Sequence, residues 1–200
     1  MKLVIFDFDG VLVDTLIMCH EISKEVNKDL PLSAFRDLFN GNIFDSIESN
    51  PNVEQHPQFF EHYEEQSREL TIPESLKDLV AKLSKRHTLA IVSATPSGLI
   101  TKILEQTGMS QYFSDILGRD IHTSKVVKNK MLLEKYKINP GNTVFITDTA
   151  GDVYEARECE IPSIAVTWGY QEEESLRKAK PEKIVSAPED LLKAIEEILC

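Results

Sequence analysis

Short, wholly apolar runs alternate along most of the chain with longer segments whose apolar residues recur every three to four positions. The first pattern is typical of strands buried on both faces of a parallel sheet, and the second is typical of amphipathic helices. The predicted strands are 3–6, 89–92, 115–117, 144–146, 164–166 and a weaker one at 184–185. The helices predicted after Pro73 are 74–85, 97–107, 125–136, 150–159 and 188–199.

Strands that are separated by helices of this length are joined by right-handed crossovers, which place the strands parallel to one another. The pattern therefore predicts an α/β fold built on a Rossmann-like parallel sheet. In such sheets, ligands bind at the edge formed by the carboxyl ends of the strands. We expect any functional site to lie at that edge.

The stretch between the first and second strands carries helical patterning only, and its prolines and glycine divide it into three or four helices. Asp14 or Thr15 is placed to be the N-cap of the first of these helices. We expect residues 16–72 to form an all-helical domain, called the insert below, over the edge of the sheet. Residues 1–15 and 73–200 would then form the α/β core domain.

Composition and charge limit the partners. Hydrophobic residues make up 42% of the 200 residues, which is enough for a proper core. The formal net charge is −11, and the insert, with four basic and eleven acidic side chains, accounts for −7 of it. We expect no nucleic-acid partner, because nucleic-acid phosphates would be repelled. The chain also lacks the glycine-rich loops G-x-G-x-x-G and G-x-x-x-x-G-K, which excludes the nucleotide-binding enzymes that use them.

The cysteine pattern and the hydropathy indicate a cytoplasmic protein. Cys19, Cys159 and Cys200 are odd in number and lack C-x-x-C spacing, so we expect reduced thiols. No apolar run approaches the roughly 18 residues of a membrane helix, and the first run stops at Asp7, too early for a signal peptide. We therefore expect no membrane partner, and a monomer or weak homodimer.

The first strand ends in two carboxylates and a glycine, at Asp7, Asp9 and Gly10. Residues two apart in an extended chain point the same way, and glycine lets the backbone turn sharply. Two unit charges about 4 Å apart repel by about 4 kcal/mol at an effective dielectric near 20. A hard cation such as Mg²⁺, which takes carboxylate, water and phosphate oxygens, would offset this repulsion. The alternative is a solvated turn with no ligand.

Two further strand tips add polar groups to the same edge. The second strand ends in Ser93, which is either a phosphate ligand or a turn residue, and Thr95 is typical of an N-cap with Pro96 at the first helical position. The fourth strand brings Asp148 and Asp152, which could instead cap a helix and favour its dipole. Convergence of three such tips is much harder to explain by capping alone.

If a phosphate also binds beside so many carboxylates, the site needs positive charge beyond one metal ion. Lys125, Lys128 and Lys130 all lie at the start of the helix that leads into the fourth strand. Lysines on helices are usually solvated, so we expect at most one of the three to reach the site. Lys125 is the first choice because it is nearest the start of the helix, and Lys128 is the second.

These residues together resemble the haloacid dehalogenase-like (HAD) hydrolase superfamily, in subfamily IA, whose helical C1-type insert follows the first strand and which includes phosphoglycolate phosphatases and β-phosphoglucomutases. The resemblance spans the whole chain. Its first motif is matched by residues 7–15, its second by Ser93, its third by Lys125, and its fourth by Asp148 with Asp152. The resemblance implies a core sheet of strand order 5-4-1-2-3.

The resemblance also implies the roles of the site residues. The catalytic set would be Asp7, Asp9, Ser93 and Lys125, with Asp7 as the nucleophile that forms an aspartyl-phosphate and Asp9 as the general acid and base. The phosphate-binding set would be Ser93, Ala94 and Lys125. The cofactor would be Mg²⁺, bound by Asp7, the backbone carbonyl of Asp9, Asp148 and, as a supporting or alternative ligand, Asp152.

The implied function is Mg²⁺-dependent hydrolysis of a small phosphorylated metabolite. A phosphomutase and a non-catalytic binding protein of the same fold remain as alternatives. Two residues depart from the family pattern, namely Ala94 where Asn is frequent and Thr147 where Gly is frequent. The insert would close over the site, and its aromatic residues favour a small core of the insert over a cage around the substrate.

Overall fold

The computed structural model describes residues 2–199, and in this range it contains one sheet of six parallel strands in the order β3-β2-β1-β4-β5-β6. The strands are β1 (Leu3–Phe6), β2 (Thr88–Val92), β3 (Asp115–Leu117), β4 (Thr143–Thr147), β5 (Ser163–Val166) and β6 (Lys183–Val185). All six predicted strands are confirmed. The expected order 5-4-1-2-3 is also confirmed, and β6 extends it beyond β5.

Helices cover the two faces of this sheet. Side chains of β1 alternate between two apolar clusters, with Val4 and Phe6 in the larger cluster and Leu3 and Ile5 in the smaller one. All four are fully buried. A strand with both faces covered needs apolar residues at every position, and this is why the first run of the sequence is wholly apolar.

The described part of the chain, residues 2–199, has ten α-helices. Six lie in the core after the insert, and the predicted helices match all of them except α9, which the hydrophobic pattern did not indicate. They are α5 (Glu74–Leu83), α6 (Ser97–Gln106), α7 (Lys125–Tyr136), α8 (Ala150–Glu158), α9 (Glu173–Ala179) and α10 (Pro188–Leu199).

The insert consists of four α-helices and two short 3₁₀ turns. The sequence predicted three or four helices. The helices are α1 (Leu16–Lys24), α2 (Leu32–Asp37), α3 (Ile43–Ser49) and α4 (Phe59–Gln66). Thr15 occupies the N-cap position of α1, but its side chain makes no capping hydrogen bond. The division into an insert of 16–72 and a core of 1–15 and 73–200 stays a prediction.

The insert lies closely against the core at the carboxyl edge of the sheet. A Cβ atom at Gly151, in the first turn of α8, would lie 2.2 Å from the backbone oxygen of Gly41. The Gln171 side-chain amide donates to the Arg36 oxygen at 3.1 Å, and the rings of Phe39 and Tyr170 meet with their centroids 4.9 Å apart. The edge of the sheet is therefore covered by the insert.

Two other expectations concern the chain as a whole. Cys19 and Cys159 are free and buried, as expected of reduced thiols, whereas Cys200 lies outside the described residues. Over residues 2–199, no helix is both long and apolar enough to cross a membrane. The cytoplasmic location and the oligomeric state stay predictions.

Candidate active site

Three neighbouring strands bring their tips together beneath the insert. Asp7 follows β1, Ser93 follows β2 and Asp148 follows β4, and β1 pairs with both of the others. All three side chains are buried, and all three line one cavity of about 140 Å³ together with Asp9 and Lys125. The parallel register is the cause, because it sets the ends of adjacent strands at the same level.

Lys125 joins two of the carboxylates. Its Nζ lies 2.8 Å from Asp7 Oδ2 and 2.6 Å from Asp152 Oδ2, and all three side chains are buried. Burial opposes the charge on Lys125, but Asp152 and Asp7 outweigh it and raise the pKa of the amine. Lys125 is therefore a fixed cation between two acidic groups.

The two carboxylates respond differently. Burial raises the pKa of Asp7 well above its usual value although Lys125 pulls the other way. The pKa of Asp152 is lowered, because Lys125 and a hydrogen bond from Thr147 Oγ1 at 2.7 Å outweigh its burial. Asp152 is thus the carboxylate that holds Lys125 in place. A glycine at position 147, which is frequent in the family pattern, would lack the hydroxyl that donates to Asp152.

Lys128, the second choice, does not reach these carboxylates. Its buried Nζ donates to the backbone oxygen of Ser93 at 2.6 Å, beneath the tip of β2. Burial and the charge of Lys125 lower its pKa to about 8. Lys130 is exposed. Of the three lysines, the structure brings only Lys125 to the cavity formed by the strand tips.

Hydroxyl groups surround Asp9. Tyr63 Oη and Thr15 Oγ1 both donate to Asp9 Oδ1 at 2.8 Å, and Thr95 Oγ1 donates to Oδ2 at 2.7 Å. Ser93 Oγ is more distant from Oδ2, at 3.5 Å, and it accepts from the Thr95 N–H at 3.1 Å. Asp9 is therefore held by groups from the core and from the insert together.

The prediction for Thr95 was wrong. The helix that follows begins at Ser97 with Pro96 at its N-cap, and the Ser97 N–H donates to Asp120 Oδ1 at 2.6 Å. Thr95 uses its hydroxyl on Asp9 instead. A partner so distant in sequence gives no local signal, and neither does Tyr63, which the sequence suggested only as a core residue of the insert.

Asp148 does not cap α8, whereas Asp152 lies in the first turn of this helix, where a carboxylate favours the helix dipole. Thr149 is the N-cap of α8, and its hydroxyl accepts from the Asp152 N–H at 3.4 Å. Asp148 Oδ2 accepts from the Tyr170 N–H at 2.6 Å, which fixes the side chain. Both carboxylates line the cavity, and so does Ala94, the other departure from the family pattern.

The surroundings of Asp148 fit a bound cation. Its Oδ1 is buried and has no hydrogen-bond partner among residues 2–199. Two glycines lie against the carboxylate, since a Cβ at Gly10 would be 1.9 Å and a Cβ at Gly169 2.3 Å from Asp148 Oδ2. Gly10 also has a φ of +74°, which other residues rarely adopt. An unpartnered carboxylate oxygen beside Asp7 is the kind of ligand that Mg²⁺ takes.

The pKa values predict how pH and Mg²⁺ act on stability. Burial raises the pKa of Asp148 to about 7, and that of Asp7 is raised as well. In the folded protein these two groups keep protons that they lose in the unfolded chain, so their contribution to the stability of the metal-free protein should fall as pH rises from about 4 to about 7. Mg²⁺ should stabilise the protein much more at about pH 7.5 than at about pH 5, which thermal unfolding at both pH values measures.

A uniform effect of Mg²⁺ at both pH values would contradict this expectation. A buffer of equal ionic strength in which Na⁺ replaces Mg²⁺ is the control for general screening of charges by salt.

Glu155 is a site residue that the sequence reasoning missed. This buried carboxylate on α8 accepts from the Lys125 backbone N–H at 2.8 Å and from Ser124 Oγ at 3.2 Å. It also accepts from the Asn42 side-chain amide of the insert at 3.3 Å. Since the free N–H groups of a helix start favour an anion, Glu155 fixes the first turn of α7 and with it Lys125.

The aromatic residues of the insert have two roles. Phe35 and Tyr63 are buried, but they belong to the large apolar cluster that also contains Val4 and Phe6 of β1, and not to a separate small core of the insert. Five phenylalanines also line the roof of the cavity, at positions 35, 39, 44, 59 and 60. Arg36 lies elsewhere, where its Nη1 pairs with Glu172 Oε1 at 2.8 Å.

A second cluster of titratable groups holds the insert together. Glu25 Oε2, at the end of α1, lies 3.2 Å from His56 Nε2 and 2.8 Å from His62 Nδ1. His56 Nδ1 accepts from the Gln58 N–H at 3.1 Å, so the ring proton is on Nε2 and is donated to Glu25. A metal ligand needs that nitrogen unprotonated, and this arrangement therefore favours a hydrogen-bonded link between α1 and α4.

Comparison with known proteins agrees with this fold. The model of the haloacid dehalogenase-like hydrolase family matches residues 4–166. A phosphoglycolate phosphatase from Vibrio vulnificus is 25% identical over 222 aligned positions, covering 98% of this chain and 96% of the relative. Hence the chain belongs to the haloacid dehalogenase-like hydrolase family, as the motifs predicted.

Solved structures share the fold over the full length. A haloacid dehalogenase-like hydrolase from Streptococcus pneumoniae is 22% identical with a TM-score of 0.78, and it covers 97% of this chain and 98% of its own. A hydrolase from Pseudomonas syringae is 18% identical with a TM-score of 0.82, and coverage is 100% of both chains. The predicted fold class is confirmed.

Proposed function

We propose that this protein is a Mg²⁺-dependent phosphatase that hydrolyses a small phosphate monoester through an aspartyl-phosphate on Asp7. The main supporting observation is the buried pair of Asp7 and Lys125, whose Oδ2 and Nζ atoms are 2.8 Å apart in a cavity that Asp9 also lines. A nucleophilic carboxylate, a cation for the phosphoryl oxygens and a second carboxylate for proton transfer are what this reaction needs. The phosphatase names of the relatives support the same reaction.

The first step transfers the phosphoryl group to the protein. An oxygen of Asp7 attacks phosphorus, the bond from phosphorus to the ester oxygen breaks, and Asp9 gives its proton to the departing alcohol. Lys125 and the Ser93 hydroxyl bind the phosphoryl oxygens. Lys125 reduces the repulsion between the Asp7 anion and the phosphate, which is the main barrier to attack.

The second step releases phosphate. Asp9 takes a proton from a water molecule, the water oxygen attacks phosphorus, and the bond to Asp7 breaks. When bound, Mg²⁺ would be held by Asp7, the backbone carbonyl of Asp9 and Asp148, and it would supply positive charge for the phosphoryl group and keep Asp7 ionised. Asp152 supports Lys125 in this scheme, because its carboxylate is already paired with the lysine.

We expect Tyr63→Phe to lower kcat for alkyl phosphate esters by about 10- to 100-fold with little change in KM. The variant keeps the buried ring but removes the hydroxyl that donates to Asp9 Oδ1 at 2.8 Å, and a hydrogen bond to a charged group contributes about 1.5–3 kcal/mol. Steady-state kinetics with an alkyl ester and with p-nitrophenyl phosphate checks this. Asp9 also serves the second step, which both substrates share, so a single-turnover measurement isolates the first step. The nitrophenolate leaves without a proton, so in that first step only the alkyl ester should lose rate.

Tyr112→Phe is the matched control, because this half-buried tyrosine lies outside the cavity. Equal losses on both substrates in the first step for Tyr63→Phe would argue against proton donation through Asp9 and for a general loss of structure.

Phosphate release tests the proposed function directly. Purified protein with Mg²⁺ is incubated with a panel of phosphorylated metabolites and p-nitrophenyl phosphate, and both free phosphate and organic products are measured. The proposal expects Mg²⁺-dependent phosphate release that EDTA abolishes. Transfer of the phosphoryl group to a sugar would identify a phosphomutase, and Mg²⁺ binding without any turnover would identify a non-catalytic binding protein.

A further inference from the structure

Arg119 belongs to the core domain and lies at the edge of the cavity. The sequence motifs did not indicate it. It follows β3, and its backbone N–H donates to the Thr95 oxygen at 3.2 Å, which attaches it to the tip of β2. Its guanidinium carbon lies 4.8 Å from the ring centre of Phe44 and 4.9 Å from that of Phe60. The rings belong to α3 and α4, so two helices of the insert enclose this one core side chain.

The two rings hold the guanidinium through its charge and not through hydrogen bonds. Aromatic faces attract a cation but use none of its N–H groups. Within residues 2–199, the Arg119 guanidinium has no hydrogen-bond acceptor and no carboxylate partner. A half-buried cation without an anion is costly, and its fork of N–H groups matches a planar or tetrahedral anion.

The other cation of the cavity is already neutralised. Among the described residues, Lys125 and Arg119 are the only lysine and arginine that line the cavity, and Lys125 is paired with both Asp7 and Asp152. The remaining wall around Arg119 is mainly apolar and comes from the insert. A second anionic group of a ligand would therefore find its partner at Arg119.

We propose that Arg119 determines substrate specificity by binding a second anionic group, a carboxylate or a second phosphate, on the alcohol that leaves. This inference rests on the proposed function, since it places the phosphoryl group at Asp7 and Lys125. The preferred substrates are then compact phosphate monoesters that carry a further negative charge, because the cavity is about 140 Å³. Arginine suits this role better than lysine because its planar fork binds two oxygens at once.

Binding of inert phosphonates tests this without turnover. Calorimetry on the Mg²⁺-loaded protein measures the affinity for three compounds. Phosphonoacetate carries a carboxylate and 1,2-ethanediphosphonate carries a second phosphonate, whereas the tail of ethylphosphonate is uncharged. The wild type should bind at least one of the two anionic compounds about 10- to 100-fold more tightly than ethylphosphonate. Arg119→Met should remove that preference and leave ethylphosphonate binding within about threefold.

Two further variants define the result. Arg119→Lys should restore only part of the preference, and Arg68→Met, which removes an exposed arginine outside the cavity, should leave it intact. A wild type without the preference, or an Arg119→Met variant that keeps it, overturns the role of Arg119. Preference without hydrolysis of any ester would instead leave Arg119 as an anion-binding residue and reject the phosphatase.

Discussion

Replacing Asp7 with Asn should reduce kcat by about 10⁴-fold or more, because removal of a covalent nucleophile eliminates the reaction path itself. The amide keeps the size of the side chain and can still accept from the Phe8 N–H, which lies 2.7 Å from Asp7 Oδ1. Lys125 stays in place through Asp152 at 2.6 Å. Phosphate release at saturating substrate and Mg²⁺ measures the loss.

Asp14→Asn is the control for this variant. Asp14 belongs to the same motif but is exposed, so its replacement should leave kcat within about threefold of the wild type. Circular dichroism and thermal unfolding should show that Asp7→Asn is folded. An Asp7→Asn protein that keeps a tenth of wild-type kcat would rule out Asp7 as the nucleophile.

Asp148→Asn should remove Mg²⁺-dependent activity and the stabilisation by Mg²⁺ together. The variant replaces a charged ligand whose Oδ1 has no partner in the described chain, and loss of the cation removes several kcal/mol of charge stabilisation, or about 10³-fold in kcat. Ligand binding to the folded state alone stabilises it by about 2.7 kcal/mol at 100 times Kd. Thermal unfolding with and without Mg²⁺ would show that shift in the wild type only.

The metal-free variant gives a second readout. Burial makes the ionised Asp148 unfavourable, so metal-free Asp148→Asn should be at least as stable as the metal-free wild type at about pH 7.5. Asp29→Asn, on an exposed side chain of the insert, should bind Mg²⁺ as the wild type does. An unchanged Mg²⁺ shift in Asp148→Asn would exclude this carboxylate from the metal site.

The sheet could be predicted because its central strands are short runs that are apolar at almost every position. A run such as 3–6 is apolar at every position, since both faces of β1 are covered. Parallel pairing then requires the ends of β1, β2 and β4 to meet. For that reason the sequence alone groups Asp7, Ser93 and Asp148.

Contacts between the insert and the core could not be predicted in the same way. Tyr63 and Thr95 reach Asp9 across 54 and 86 positions of the chain, and neither has a local pattern that differs from a core or capping residue. Glu155 acts on the first turn of a different helix. The short α9 also has too few apolar positions to show a helical period.

The most direct test of the central claim is to trap the covalent intermediate. Protein is mixed with substrate and Mg²⁺, quenched in acid within one turnover and treated with borohydride, which reduces an aspartyl-phosphate to homoserine. Mass spectrometry of the peptide that contains residues 3–12 should then show homoserine at position 7, in the presence of both substrate and Mg²⁺ only. Rapid turnover with Asp7 unmodified, or with the modification on another residue, would contradict the account.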